Sequence, residues 1–253
     1  MNLSMGLSIT TPRLIVAGNP LAFLGACYAL LVAYMRARGK LWQDLACTIP
    51  ATEDGDPVRV AVWDFGPLGV VLWVAPSDNA RPVLWDEGGG LWSLWFDGID
   101  DQFTLSTNVS HTGTQVMTHG LRATLPAGTA AYAMGSGSAV DGKDRSFKRN
   151  VSNNWQFNGW FADGDTGESG TALVTRVQVG SSTLRRTNSG GSVSSATLSG
   201  TLTDSSGTPI YVGRGGADGS AFAQTRVRGL AVAIGSDPGD AACAQLRSLL
   251  ASL

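Results

Sequence analysis

Val70-Val-Leu-Trp-Val74 and Leu91-Trp-Ser-Leu-Trp-Phe96, the second preceded by Gly88-Gly-Gly90, decide the fold class. Both are short runs of β-branched and aromatic residues bounded by Gly, Pro, Asp or Asn, the composition of a half-buried pleated surface. Val58 to Trp63 is a third such run, following the turn signal Asp54-Gly-Asp-Pro57. Six of the eight tryptophans (Trp42, Trp63, Trp73, Trp85, Trp92 and Trp95) fall between residues 41 and 101. In strands the core-facing residues should alternate along each run.

Downstream, residues 104 to 200 are rich in Ser, Thr, Gly and Asn. Further strands are expected at Gln115–Met117, Thr129–Met134, Trp155–Phe161, Ala172–Val179, Ala196–Leu202, Ile210–Val212 and Arg226–Ile234. No helical segment interrupts them, which favours an all-β, antiparallel two-sheet sandwich over a parallel α/β sheet. Ser236-Asp-Pro238 then caps a final short helix with Ala242, Leu246, Leu249, Leu250 and Leu253 on one face. Upstream, residues 1 to 19 read as an extended arm. Asn19-Pro20 offers a helix start. Leu21, Leu24, Tyr28, Leu31 and Met35 recur at helical steps until Gly39, predicting an amphipathic helix; a strand over Ala29–Tyr34 is the alternative. The domain reading is residues 1–40 as an arm and helix for attachment or oligomerisation, and 41–253 as the sandwich.

The formal net charge of −2, with 18 basic and 20 acidic residues, supplies no global footprint for phosphate backbones, so nucleic acid is not an expected partner. The apolar stretch from Leu21 to Met35 is shorter than the roughly 20 residues of a spanning helix, so no membrane insertion is expected. Basic residues follow that stretch, and the only one upstream is Arg13, which is not the pattern of a secretion signal. Cys27, Cys47 and Cys243 lack paired spacing and read as small buried residues.

Four segments resemble a known family. Leu41-Trp-Gln-Asp-Leu-Ala-Cys-Thr-Ile-Pro-Ala-Thr-Glu-Asp-Gly-Asp-Pro-Val58 resembles the opening of laminin G-like proteins of phages and prophages. Ala80-Arg-Pro-Val-Leu84, Phe96-Asp-Gly-Ile-Asp-Asp101, and Tyr211-Val-Gly-Arg-Gly-Gly216 with Arg228-Gly-Leu-Ala-Val-Ala-Ile234 are similar to its later segments in order and spacing. The likeness is strong at the two ends of 41–253 and slight between about 105 and 205. Asp64-Phe-Gly-Pro-Leu-Gly69 departs from the family's usual turn. The resemblance implies a concanavalin A-like jelly roll in a virion tail, fibre or decoration protein, and does not by itself imply a sugar.

Catalytic constellations are sparse. Glu53, Glu87 and Glu168 are the only glutamates, each beside turn residues, and no strand carries the paired carboxylates of a glycosidase. Asp100 and Asp101 read as turn residues. His111 and His119 read as solvated loop histidines, without a Gly-x-Ser-x-Gly elbow. The chain is therefore expected not to be an enzyme, with no catalytic residue and no organic cofactor. Asp163, Asp165 and Glu168 lie on a glycine-flexed loop that either holds Ca²⁺ through hard oxygens or is a plain solvated turn. Lys143 and Arg145 belong to a local basic patch suited to an acidic neighbour or anionic polysaccharide, with a solvated loop as the alternative. In a strand, Trp155, Phe157 and Phe161 face the core and Trp160 faces out, where its ring suits a sugar face.

The function expected is a phage virion structural protein, in a tail, fibre or capsid decoration, displaying the sandwich on the particle surface. A carbohydrate-binding receptor adhesin for host attachment is the alternative. Partners would be other virion subunits, further copies of the chain (a homo-oligomer, taken as a trimer) and a host surface glycan. The chain would be made in the bacterial host cytoplasm and reside in the extracellular particle.

Overall fold

The computed structural model describes residues 19–126, 131–136, 146–149, 155–159, 162–165, 172–178, 183–187, 193–197, 202–215, 222–235 and 237–253. A 3-10 turn, Ala22–Leu24, leads into β1 (Cys27–Leu31) and the short helix α1 (Val32–Ala37). Next come β2 (Leu41–Trp42), β3 (Val60–Gly66), β4 (Gly69–Val74), β5 (Val83–Gly88), β6 (Leu91–Asp97), β7 (Phe103–Leu105), β8 (Val109–His111) and β9 (Met117–Thr124). The middle holds β10 (Ala131–Ser136), β11 (Ser146–Arg149), β12 (Trp155–Gly159), β13 (Ala162–Asp165), β14 (Ala172–Gln178), β15 (Thr183–Thr187) and β16 (Val193–Thr197). The chain closes with β17 (Ser205–Thr208), β18 (Ile210–Val212), β19 (Gln224–Ile234) and α2 (Gly239–Ala251).

These strands form an antiparallel two-sheet sandwich, the all-β class expected. The first sheet runs β16-β15-β14-β9-β19-β6-β5, with β1 also paired to β19; the second runs β13-β12-β11-β10-β18-β7-β4-β3-β2. A two-stranded ribbon joins β17 and β8. The sheets meet through aromatic side chains. Phe96 of β6 meets Phe103 of β7 edge-on at 6.1 Å between ring centres, and His119 of β9 meets Phe147 of β11 at 5.6 Å. Trp73 of β4 donates its Nε1–H to the Ala29 carbonyl of β1 at 2.7 Å, so a buried indole donor is satisfied across the core.

Strand alternation behaves as expected where one face is wet. Along β19, Thr225 and Val227 are buried while Gln224 and Arg226 are exposed. The C-terminal helix also forms as expected, and its leucines sit on the outer face of the first sheet. A Cβ at Gly120 of β9 would lie 2.6 Å from Leu246 Cδ2, and one at Gly229 of β19 would lie 2.7 Å from Leu253 Cδ1. The two glycines thus open the seat that α2 fills.

The N-terminal helix needs correction. Leu21 belongs to no helix, Leu24 ends the 3-10 turn, Tyr28 and Leu31 lie in β1, and Met35 alone of the five lies in α1. β1 pairs with β19 from Cys27↔Ala233 to Leu31↔Gly229, which bears out the alternative strand reading at residues 29–31. The reason is local: Cys27-Tyr-Ala-Leu-Leu31 is apolar at every position, so helical spacing can be picked out of it, yet a strand covered on both faces has the same composition. Leu21, Cys27, Ala29, Leu30, Leu31 and Met35 are fully buried in the same hydrophobic core as Trp63, Trp73 and Phe96. The boundary expected at 40/41 therefore falls inside one core, and the apolar stripe assigned to attachment is consumed within the sandwich. The histidines were also misplaced: His111 of β8 and His119 of β9 are buried and are not in solvated loops.

Candidate functional site

The acidic residues of the family-like segments build turns. Asp44 Oδ1 accepts the N–H groups of Thr48 and Ile49, both at 2.9 Å, and Asp56 Oδ2 accepts those of Thr52 and Glu53 at 2.8 and 2.9 Å. Asp54 Oδ1 takes the Asp86 N–H at 2.9 Å, tying that turn to β5. After β6, Asp97 Oδ1 accepts from Ile99 at 2.7 Å and Asp101 Oδ2 accepts from Asp97 N–H at 2.9 Å. This is the local side-chain-to-backbone bonding that makes Asp a turn residue. Carboxylate oxygens of Asp97, Asp100 and Asp101 come within 4.8 Å of one another, but the turn's own N–H groups already use two of the three side chains. Burial pushes the Asp101 carboxyl up to about 7; the Asp97 N–H opposes the shift, and the charges of Asp97 and Asp100 add to it.

A cleft of about 400 Å³ lies between the loop after β2 and the loop after β4, walled by Leu45, Ile49, Arg59, Arg81, Asp44 and Asp78. Arg59 is buried, gives Nη2–H to the Pro76 carbonyl at 3.2 Å, and has Nε 3.8 Å from Asp78 Oδ1. Arg81 donates to the Asp78 and Gln43 carbonyls at 2.8 and 3.1 Å. Two arginines face two aspartates here, so the cleft is close to charge-balanced.

The strongest constellation is on the outer face of the first sheet, beyond the end of α2. Register sets it: Val83 of β5 lies opposite Trp95 of β6, Trp95 opposite Arg226 of β19, and Arg226 opposite Thr124 of β9. Trp85 lies opposite the buried Ser93, and its ring is 6.3 Å from that of Trp95 at an interplanar angle of 48°. Trp85 is 36% exposed, Trp95 is half-buried, and the Arg226 guanidinium lies 4.9 Å from the Trp85 ring centre. A register shift between Val227 and Gly229 inserts Arg228, which ion-pairs with Glu87 of β5. Arg122, opposite Gly229, completes the group.

Its electrostatics are unbalanced. Burial would raise the Glu87 carboxyl, but hydrogen bonds from Arg228 and Ser93 and the charges of Arg228 and Arg226 outweigh it and hold it below the usual range. Burial lowers the Arg122 guanidinium, the Arg228 charge lowers it further, and Glu87 opposes both. Arg122, Arg226 and Arg228 thus share one carboxylate, which Arg228 already engages. Asp97 continues the β6 row past Trp95 at the far end, with one oxygen committed to the turn.

None of these residues was singled out as a site from sequence. Period-two alternation does place Arg226 with Arg228 and Val83 with Trp85, but which strands lie side by side is not written in either run. Of the residues that were singled out, Trp160, Lys143, Arg145 and Glu168 lie outside the described residues. Asp163 and Asp165 lie in β13, paired to Asn158 and Gln156 of β12, so the expected glycine-flexed loop is strand through Asp165.

No family model and no curated protein matches the chain. Among solved structures it is similar to Trypanosoma rangeli sialidase, at 12% identity and a TM-score of 0.45 over 81% of this chain and 35% of that one. The same enzyme in complex with the inhibitor DANA is similar at 11% identity and a TM-score of 0.42, over 85% and 36%. A Shewanella oneidensis MR-1 protein of unknown function is similar at 7% identity and a TM-score of 0.34, over 72% and 80%. The chain spans about a third of the length of the sialidases it matches. These neighbours correct the expectation that the chain is not an enzyme: the shape occurs in proteins named as sialidases, so it gives no ground for excluding catalysis. At these identities the likeness is one of fold alone and assigns no activity.

Proposed function

We propose that the chain is a surface-displayed structural subunit of a bacteriophage-type virion, in a tail, fibre or capsid decoration. The observation that carries this reading is that the family-like segments coincide with defined structural devices. Asp44, Asp54 and Asp56 hold the turns between β2 and β3, and Asp97 and Asp101 hold the turn after β6. The segment from Arg228 to Ile234 is a central strand, paired on both sides. That the phage-like segments form turn-holding hydrogen bonds and a core strand, in that order along the chain, supports the reading.

In this reading the partners are other virion subunits and further copies of the chain, a trimer being the copy number to test. Attachment would use surfaces other than the Leu21 to Met35 stripe, which is buried. The test is cryo-electron microscopy and peptide mass spectrometry of purified native particles. Peptides of this chain at stoichiometric abundance, with sandwich density on the shell or tail, support the reading. Particles that lack the chain overturn it.

A further inference from the structure

The outer sheet face of Trp85, Trp95, Arg122, Arg226 and Arg228 is a binding surface that the display role leaves unused. We propose that this face binds an anionic polysaccharide, with Arg226 and Arg122 taking the sugar's acidic groups and Trp85 and Trp95 forming the platform for its rings. The inference rests on the display reading for its biological setting, since a surface subunit is what meets a cell-surface polymer. Its chemistry rests on the face alone.

Three observations carry it. First, three arginines surround the single carboxylate of Glu87, with Asp97 only at the far end of the face, which leaves an excess of positive charge within a chain whose formal net charge is −2. Like charges held together on a semi-buried surface cost stability, and an anionic ligand offsets that cost. Second, Glu87 is committed to Arg228, whereas Arg226 is exposed and held over Trp85 by a cation–π contact at 4.9 Å, so its N–H fork is oriented before a ligand arrives. Third, Trp85 and Trp95 are incompletely covered, although Leu94 and Phe96, their neighbours on the opposite face, are fully buried. Two tryptophans with ring centres 6.3 Å apart, tilted at 48°, present apolar area next to cations, which suits pyranose faces alternating with carboxylate or sulfate groups. A nucleic acid would also offer anions and rings, but the patch is short and Asp97 bounds it, so it does not provide the extended basic track that a phosphate backbone requires.

The test uses the full chain and immobilised polymers: polygalacturonate and polysialic acid as carboxylated probes, dextran sulfate as the sulfated one, dextran as the neutral control, and single-stranded DNA. Binding to a carboxylated or sulfated polymer, at least tenfold over dextran and weakening as salt rises, is expected; the two anionic classes show which acidic group is preferred. Arg226→Gln, at an exposed position, should weaken that binding about tenfold with a melting temperature no lower than that of the wild type. Trp85→Phe, which keeps an aromatic ring, should weaken it less than Trp85→Ala. Equal binding to dextran, tighter binding to DNA, or an Arg226→Gln variant that binds like the wild type would each overturn the proposal. Particle composition is read independently: a chain found in particles that ignores every polymer loses this inference and keeps the display role, and the converse result reverses that.

Discussion

Leu30→Ala separates the strand observed at residues 27–31 from the helix that spacing alone predicts there. On a helix carrying Leu21, Leu24, Tyr28, Leu31 and Met35 on one face, residue 30 lies about 140° around the axis from the centre of the stripe and faces solvent. Alanine there would be neutral or slightly favourable by helix propensity. In the structure Leu30 is fully buried, opposite Leu230 in the register of β1 on β19, inside the core shared with Trp63 and Trp73. Truncation then removes the transfer free energy of the side chain and leaves a cavity, a cost of about 2–5 kcal/mol. At about 3 kcal/mol, a domain of this size loses roughly 6–12 °C in melting temperature. Differential scanning calorimetry of wild type, Leu30→Ala and a control, Leu45→Ala, is the assay; Leu45 is 60% exposed and its truncation should shift the transition little. A Leu30→Ala protein melting within about a degree of the control would refute the strand assignment and restore the helix as an attachment element.

Three further outcomes follow from the same geometry. Burial raises the Asp101 carboxyl from an ordinary 3.8 to about 7, so the folded state holds a proton that the unfolded chain releases. Its contribution is complete below about pH 4 and lost as pH rises through 7, on the order of 4 kcal/mol at most. Asp101→Asn should flatten urea-midpoint profiles across that window, and parallel profiles for the two proteins would contradict the assignment. Burial pushes the Cys27 thiol up to about 12 and Cys243 is buried, whereas Cys47 is only half-buried; a thiol reagent should titrate one cysteine in native protein and three in denaturant. Gly120→Val should lower the melting temperature by overpacking α2, with part of the loss recovered in a Gly120→Val/Leu246→Ala double variant, because the introduced Cβ lies 2.6 Å from Leu246 Cδ2.

What could be read from the sequence is what local chemistry dictates. The runs around Trp73 and Leu94 announced strands because β-branched and aromatic residues between turn formers have few other uses, and α2 announced itself through a cap and a leucine stripe. β1 was ambiguous because burial on both faces erases periodicity; only its partner β19, about 200 residues later in the chain, decides between strand and helix. The histidines misled for a related reason. His119 sits in a polar-looking stretch, Thr118-His-Gly120, yet β9 is flanked by β14 and β19 and the His119 ring meets Phe147 of the opposite sheet, so its neighbours in space, not in sequence, fix its burial.

The outer face shows the same limit at the level of function. Trp85, Trp95, Arg226 and Glu87 come from three strands, and Arg122 from a fourth; the face exists because β19 pairs with β6 on one side and β9 on the other. Arg228 reaches Glu87 from the position where the register slips between Val227 and Gly229. Without that extra residue, strict alternation from Arg226 would place residue 228 against Arg122 and position 229 toward the core, removing the glycine that seats Leu253. One irregularity in β19 therefore serves two ends: it places Gly229 beneath α2, and it sets Arg228 against Glu87 instead of directly opposite Arg122. Any change that restores regular pairing at Arg228 should loosen the helix and at the same time set Arg228 directly against Arg122, away from its present pairing with Glu87, which links the stability of the sandwich to the surface it presents.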